Sequence, residues 1–283
     1  MLHYFYKITI LLLCNFSLLF SSVVKIYFLD VKEGDATFII TSTSKTILID
    51  TGHDKFDSGK YIYEFVKSKN FDKIDFMIIS HPHRDHIGGA KYLLLNMKIE
   101  NFYESGIVSK SDVYREILNI VTEKKINYKI IREKDRIKLD NELEAYIFHP
   151  PREAFSYTSI NNNSLVFKIV YKKFSVLFTG DIEKKAEREI IKRYIYKHET
   201  LKSDILKVPH HGSNSSSTDA FIRLVNPKFA IIFCGINNRY GHPHKEVIER
   251  YKRYNVSILR VDMDGIIEII TDGKQYKVKT YKQ

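Results

Sequence analysis

The chain has 283 residues, 44% of them hydrophobic, with 45 Lys and Arg against 34 Asp and Glu and a formal net charge of +11. That length and apolar share exclude a disordered chain and suit one large domain, or at most two small ones. The only cysteines are Cys14 and Cys234, which excludes a disulfide scaffold, while the positive balance fits either a polyanionic partner or a solvated lysine surface.

Residues 1–22 place Lys7 before an apolar run over 8–20, followed by Ser21 and Ser22. This is the layout of a secretory signal peptide, and the run is short for a membrane span of about 20 residues. The expectation is a cleaved signal or an uncleaved N-terminal membrane anchor over 1–22, an exported protein, and a folded domain over 23–283. Next, "VVKIYFLDV", "ATFII" and "KTILIDTG" predict three strands, the last ending in a turn at Gly52. The spacing of Tyr61, Ile62, Phe65 and Val66 predicts a helix. "IDFMIIS" is a strand-length apolar run that leads into "HPHRDHIGGA". Helices are expected over "AKYLLLNM" and over "SDVYREILNIVTEKK", the latter capped by Ser111 or Asp112. "ELEAYIFHPP" stops at paired prolines, and "SLVFKIVY" and "FSVLFTGD" predict strands joined by a tight Lys-Lys connection. "IEKKAEREIIKRYIY" predicts an amphipathic helix. "SDILKVPHHGSNSS" predicts a strand running into a His-bearing loop; "TDAFIRLVNP" a helix; "KFAIIFCG" a strand with a buried Cys234; "HKEVIERYKRY" a helix. The chain closes on predicted hairpins with Asp-Gly turns at Asp264-Gly265 and Asp272-Gly273. Strand clusters in both halves with helices between them predict a layered α/β domain of αββα type.

Seven of the eleven histidines fall into three short stretches: His81, His83 and His86; His210 and His211; His242 and His244. Each follows an apolar strand-like run or its short loop, where layered α/β folds build their sites. In an extended segment residues two apart share a side, so His81 and His83 can serve one cation. Asp85 and His86 follow at a turn and can reach a second. Imidazole with carboxylate suits zinc, iron or manganese, and ligand sets of this kind leave positions open for water. Asp after Gly at a strand end is often only a turn residue. Their order relative to the histidines is what sets Asp50 in "LIDTG" and Asp181 in "TGD" apart.

The pattern HxHxDH after an apolar strand resembles the metallo-β-lactamase superfamily. "DVKEGDATFII", "ILIDTG", "SHPHRDHIGGA", "NNNSLVFKI", "VLFTGDIEKKAE", "LKVPHHGSNSSS" and "NNRYGHPHKEVIERY" follow in the order of its ComEC-like branch, the β-lactamase-like domain of competence proteins. The likeness runs from about residue 24 to the C-terminus, without the membrane channel of that branch, and so implies a stand-alone form. It implies a four-layer αββα fold and one or two divalent metal ions, zinc or manganese. His81 and His83 would hold the first ion, Asp85 and His86 the second, with Asp181 as the bridging carboxylate. His242, rather than His244, would take the last ligand position. His210 or His211 would donate a proton to the leaving group, or one of them would bind metal directly. Asp50 would orient a ligand His. Most of the superfamily places a third His just before the "SLVF" strand; here Asn161 stands near that position, as in the ComEC-like branch, and predicts a first site more tolerant of manganese.

Two cations about 3.5–4 Å apart lower the pKa of a shared water and clamp both oxygens of an in-line displacement. With Asp85 holding the attacking oxygen, the expected function is a phosphodiesterase or nuclease acting on DNA. Arg239 and Tyr240 are candidate substrate contacts, Tyr240 by stacking or by packing. The basic helix carrying Lys184, Lys185, Arg188, Lys192 and Arg193 is more simply a solvated face. Two alternatives are a hydrolase of a lactone, thioester or β-lactam and a non-catalytic DNA-uptake accessory. No protein partner is evident.

Overall fold

The computed structural model describes residues 23–152, 159–196 and 198–282. The expected signal or anchor over 1–22 lies outside the described residues. Among them, no helix is long and apolar enough to cross a membrane.

The first half lays down β1 (Val24–Phe28), β2 (Thr37–Ile40) and β3 (Thr46–Ile49), then α1 (Ser58–Ser68) and β4 (Lys73–Ile79). The short helices α2 (Arg84–Ile87) and α3 (Ala90–Asn96) follow, then β5 (Lys98–Glu104), α4 (Asp112–Glu123) and β6 (Asn127–Ile130). The second half contains β7 (Arg136–Lys138), β8 (Leu143–His149), β9 (Val166–Tyr171), β10 (Phe174–Phe178), α5 (Lys184–Tyr194), α6 (His198–Leu201) and β11 (Ile205–Lys207). It ends with α7 (Asp219–Val225), β12 (Phe229–Ile232), α8 (Lys245–Arg253), β13 (Ser257–Arg260), α9 (Val261–Asp264), β14 (Ile266–Thr271) and β15 (Tyr276–Tyr281). Two mixed sheets result, ordered β15-β14-β1-β2-β3-β4-β5-β6 and β13-β12-β11-β10-β9-β8-β7.

Alternation along the strands divides the apolar residues between layers. From β4, Phe76 and Ile78 point between the sheets, where they join Phe28, Phe167, Phe178 and Phe233. Met77 and Ile79 point outward, onto Ile62, Val66, Leu93 and Ile117 of the helices that cover the first sheet. Ala186, Ile190, Phe221, Val247 and Tyr251 cover the second sheet in the same way. The order helix, sheet, sheet, helix is the expected four-layer arrangement.

Where residue patterns misled, the physical cause is visible. "KIENFYE" alternates polar and apolar residues weakly, yet forms β5, because β4 and β6 pair with it on both sides. β6 is an edge strand whose four residues are all exposed, so it carries no apolar face to read. The Asp264-Gly265 turn does not close a hairpin. β13 pairs in parallel with β12 in one sheet while β14 pairs with β1 in the other, so the chain crosses between sheets there. Asp264 accepts the Arg260 N–H at 2.8 Å and Asp262 pairs with the Arg260 guanidinium, which winds the crossing into α9. The Asp272-Gly273 turn joins β14 to β15 as expected.

Candidate metal centre

The polar residues of the site sit where strands end at one edge of both sheets. Asp50 follows β3, Ser80 to His86 follow β4, Asp181 follows β10, and His210 and His211 follow β11. Asp50 has φ of 55°, a left-handed conformation that Asp tolerates better than most residues. Its carboxylate accepts the Ser80 N–H at 2.7 Å and the Ser80 hydroxyl at 2.8 Å, and lies 2.9 Å from His86 Nδ1. Asp50 thus fixes His86 with Nε2 directed away from it, into the cluster.

His81 and His83 extend from β4 before α2 begins, and their facing nitrogens, Nε2 and Nδ1, are 3.1 Å apart. The loop before β2 packs hard against α2. A Cβ on Gly34 would lie 1.8 Å from the Asp85 carbonyl oxygen, so only glycine, here at φ +99°, permits the approach. The Asp35 N–H then donates to that carbonyl at 3.2 Å.

One ligand atom each from Asp85, His86, Asp181 and His211 lies within 4.8 Å of the others. Asp181 Oδ2 is 3.2 Å from His86 Nε2, 3.3 Å from His211 Nε2 and 3.8 Å from His81 Nε2. Asp85 Oδ2 is 3.2 Å from His211 Nε2. His86 Nε2 and His211 Nε2 are buried and make no hydrogen bond among the described residues. Buried nitrogens aimed at carboxylates without bonding them suit a divalent cation in their midst, and two imidazoles with two carboxylates are a fitting donor set.

His210 and His211 are consecutive left-handed residues, φ 49° and 54°. That backbone throws the two rings apart. His211 turns into the cluster, its Nδ1 bonded to the Phe233 carbonyl at 3.1 Å. His210 turns toward Ser215 Oγ at 3.1 Å and Asn161 Nδ2 at 3.5 Å. His242 stays outside the four-residue cluster, its ring centroid 6.2 Å from that of His211. His244 caps α8, and its Nδ1 accepts the Asn214 N–H at 3.2 Å. Asn161 Oδ1 is buried beside the cluster, in the wall that His83, Asp85 and Asp181 share. Arg239, Tyr240 and His242 line the same cavity of about 460 Å³ together with His83, Asn161 and His210.

Two residues that the sequence reading did not single out belong here. Asp35 Oδ1 lies 3.3 Å from His211 Nδ1, and buried Lys207 pairs with Asp35. The only signal was a lone charge in an apolar string, "ILKV", for Lys207 and a charge just before an apolar run, "GDATF", for Asp35. Cys234 is buried as expected, and burial pushes its thiol up to about 12. Arg193 of the basic helix is engaged with Glu133 at 3.4 Å and His149 at 3.2 Å.

In the metal-free chain burial drives His81 and His83 below the ordinary imidazole value, with charged His86 adding to the effect. Burial opposes charge on His86 and His211 as well. There Asp181 outweighs it, with Asp85, Asp50 and Asp35 adding at His86 and Asp35 at His211, so both stand well above 6.5. A raised histidine stabilises the fold below the unfolded value of about 6.5, and that contribution is lost as pH rises through the folded value. In the metal-free chain both rings are biased toward the charged form and must give up that proton to bind a cation. Metal loading is therefore expected to release protons near pH 7, and affinity should fall as pH is lowered. Titrating Mn²⁺ into the apo chain under pH-stat control measures this, and release of none would contradict it.

A family model described as the Metallo-beta-lactamase superfamily matches residues 30–236. The chain is 31% identical over 264 residues to "ComE operon protein 3" of Bacillus subtilis (strain 168), covering 88% of this chain and 33% of that protein. It is 25% identical over 235 residues to "Competence protein ComA" of Neisseria gonorrhoeae, covering 81% of this chain and 30% of that protein. It thus spans about a third of the length of these curated relatives. Among solved structures, the metallo-beta-lactamase fold protein YhfI of Bacillus subtilis superposes with a TM-score of 0.59 at 10% identity, over 87% of this chain and 99% of that one.

Proposed function

Because the chain belongs to the metallo-beta-lactamase superfamily and is a metal-dependent hydrolase of that kind, we propose that its substrate is a phosphodiester, DNA in the first place. His81 and His83 would hold one divalent ion and Asp85, His86 and His211 a second, with Asp181 within reach of both sets. The geometry favours His211 over His242 for the last ligand position. When bound, the ions supply a water of lowered pKa and a positive clamp for phosphate oxygens. His210, whose ring is fixed by Ser215, is the candidate proton donor to the leaving oxygen. At the rim the Arg239 guanidinium lies 4.6 Å from the Tyr240 ring centroid, and Tyr240 lies nearly parallel to His242 at 5.6 Å. That platform suits a phosphate on Arg239 and a base on Tyr240.

The observation that carries this reading is Asn161. Its buried amide oxygen lies in the same cavity wall as His83 and His210. An amide is a hard, weak ligand that favours manganese over tight zinc binding. We take the Asn in place of a third imidazole as support for a phosphodiester over a lactone, thioester or β-lactam. We take the competence named for one relative, "Competence protein ComA", as support for DNA. The apolar stretch over 8–20 supports export of the domain over 23–283, through a cleaved signal or an anchor.

The test offers the chain, with Mn²⁺, Zn²⁺ or Mg²⁺, to single- and double-stranded DNA, RNA, a lactone and a β-lactam. Expected is metal-dependent DNA cleavage that disappears in Asp85→Ala. Turnover of the lactone or β-lactam alone would overturn the proposal, and DNA binding without metal uptake would replace the enzyme with a binding module.

A further inference from the structure

Lys207 is a buried charge that the proposed chemistry does not use. Its side chain is 2% exposed, at the end of β11, and Ile205, Leu206 and Val208 beside it in the chain are fully buried. An ammonium there persists only if its hydrogens are met. Its three donors have three acceptors: the Asp35 carboxylate in a close ion pair, the Gly180 carbonyl at 2.9 Å and Asp181 Oδ1 at 3.4 Å. Asp35 and the Gly180 carbonyl anchor the ammonium, and its third hydrogen bond reaches Asp181. The two oxygens of Asp181 are thereby divided. Oδ1 faces Lys207, and Oδ2 is the oxygen that approaches His81, His86 and His211, at 3.8, 3.2 and 3.3 Å.

We infer that Lys207 is a positioning residue that caps Oδ1 of Asp181, so that this carboxylate offers a cation only Oδ2, one atom within reach of both halves of the cluster. The inference rests on the reading of that cluster as a metal centre. Without the cap, Asp181 is free to rotate and chelate a single ion with both oxygens, and the other half loses its shared ligand. If Lys207 served only to neutralise Asp35, removing both charges together would leave the number of ions bound as it was.

Co²⁺ is the probe, followed by visible absorption and by calorimetry. Wild type is expected to take up about two ions per chain. Lys207→Met should take up about one, at least about tenfold more weakly, with the fainter visible band of a higher coordination number. Because a lone Asp35 can prevent folding, the double variant Lys207→Met, Asp35→Asn is measured beside it, with circular dichroism as the check on the fold. It loses the cap but leaves no unpaired charge and keeps an oxygen near His211, and the same changes are expected. Wild-type stoichiometry, band and affinity within about twofold in a folded variant would overturn the inference. A crystal structure of the Co²⁺-loaded wild type decides without any variant. Oδ2 on metal with Oδ1 on Lys207 supports the cap; both oxygens of Asp181 on one ion overturn it. Failure of the wild type to bind Co²⁺ is a different outcome, which overturns the metal reading itself and the inference with it.

Discussion

Asp181→Asn is expected to weaken divalent-metal binding by more than about a hundredfold and to remove metal-dependent hydrolysis with it. The residues that merely orient metal ligands already cost 10- to 100-fold when lost, and a residue inside the cluster should cost more. Asp181 is 2% exposed, and its Oδ2 is the one carboxylate oxygen beside His81, His86 and His211 alike. Burial alone would raise its pKa. The charges on His211, His86 and Lys207 reverse that and hold it well below the ordinary carboxylate value, so it carries its full charge at any pH at which the enzyme would work. The amide keeps the shape and a hydrogen-bonding oxygen but gives up that charge. Isothermal titration with Mn²⁺ measures the effect, and a Kd within about tenfold of wild type would remove Asp181 from the centre.

Much of this centre was legible before any coordinates because its residues are spaced by rule. Two imidazoles two apart on an extended segment, then Asp85 and His86 on the next turn, need no knowledge of the rest of the chain. Asp50 and Asp181 could be picked out by their place at strand ends in order with the histidines, and the structure brings both to the cluster. The choice between His211 and His242 was not legible. It depends on two consecutive left-handed residues at positions 210 and 211, and histidine gives no sign of that conformation as glycine would. Asp35 and Lys207 were missed for a related reason. Lys207 is a single charge among apolar neighbours and Asp35 one of several charges in its turn, and each has its partner far off in sequence, 172 residues by their numbering. The layers were legible from alternating strands and helices, whereas the polar strand β5 and the exposed edge strand β6 are defined by their neighbours' hydrogen bonds.

His211→Ala and His242→Ala should separate cleanly, the first losing more than about a hundredfold in metal affinity and the second staying within about threefold. His211 Nδ1 faces the Phe233 carbonyl, which can only accept, so the neutral ring carries its hydrogen there and leaves the Nε2 lone pair for the cluster. That nitrogen is buried, bonds nothing among the described residues, and sits 3.2 Å from Asp85 and 3.3 Å from Asp181. His242 has a different setting. Asn238 pins its backbone, accepting its N–H at 2.9 Å and donating to its carbonyl at 2.6 Å. Burial, with the charge on His211 next, holds its ring down to about 4, so it stays neutral at pH 7 in the half-buried wall of the cavity. If DNA is the substrate as proposed, a neutral ring lying nearly parallel to Tyr240 in the cavity wall would meet it, and His242→Ala should raise KM for DNA while metal content holds. Metal content by elemental analysis and KM from initial rates read the two effects separately. If the ranking of the two variants reverses, His242 is the ligand, and the loop that carries His210 and His211 must give up its left-handed turn when the metal enters.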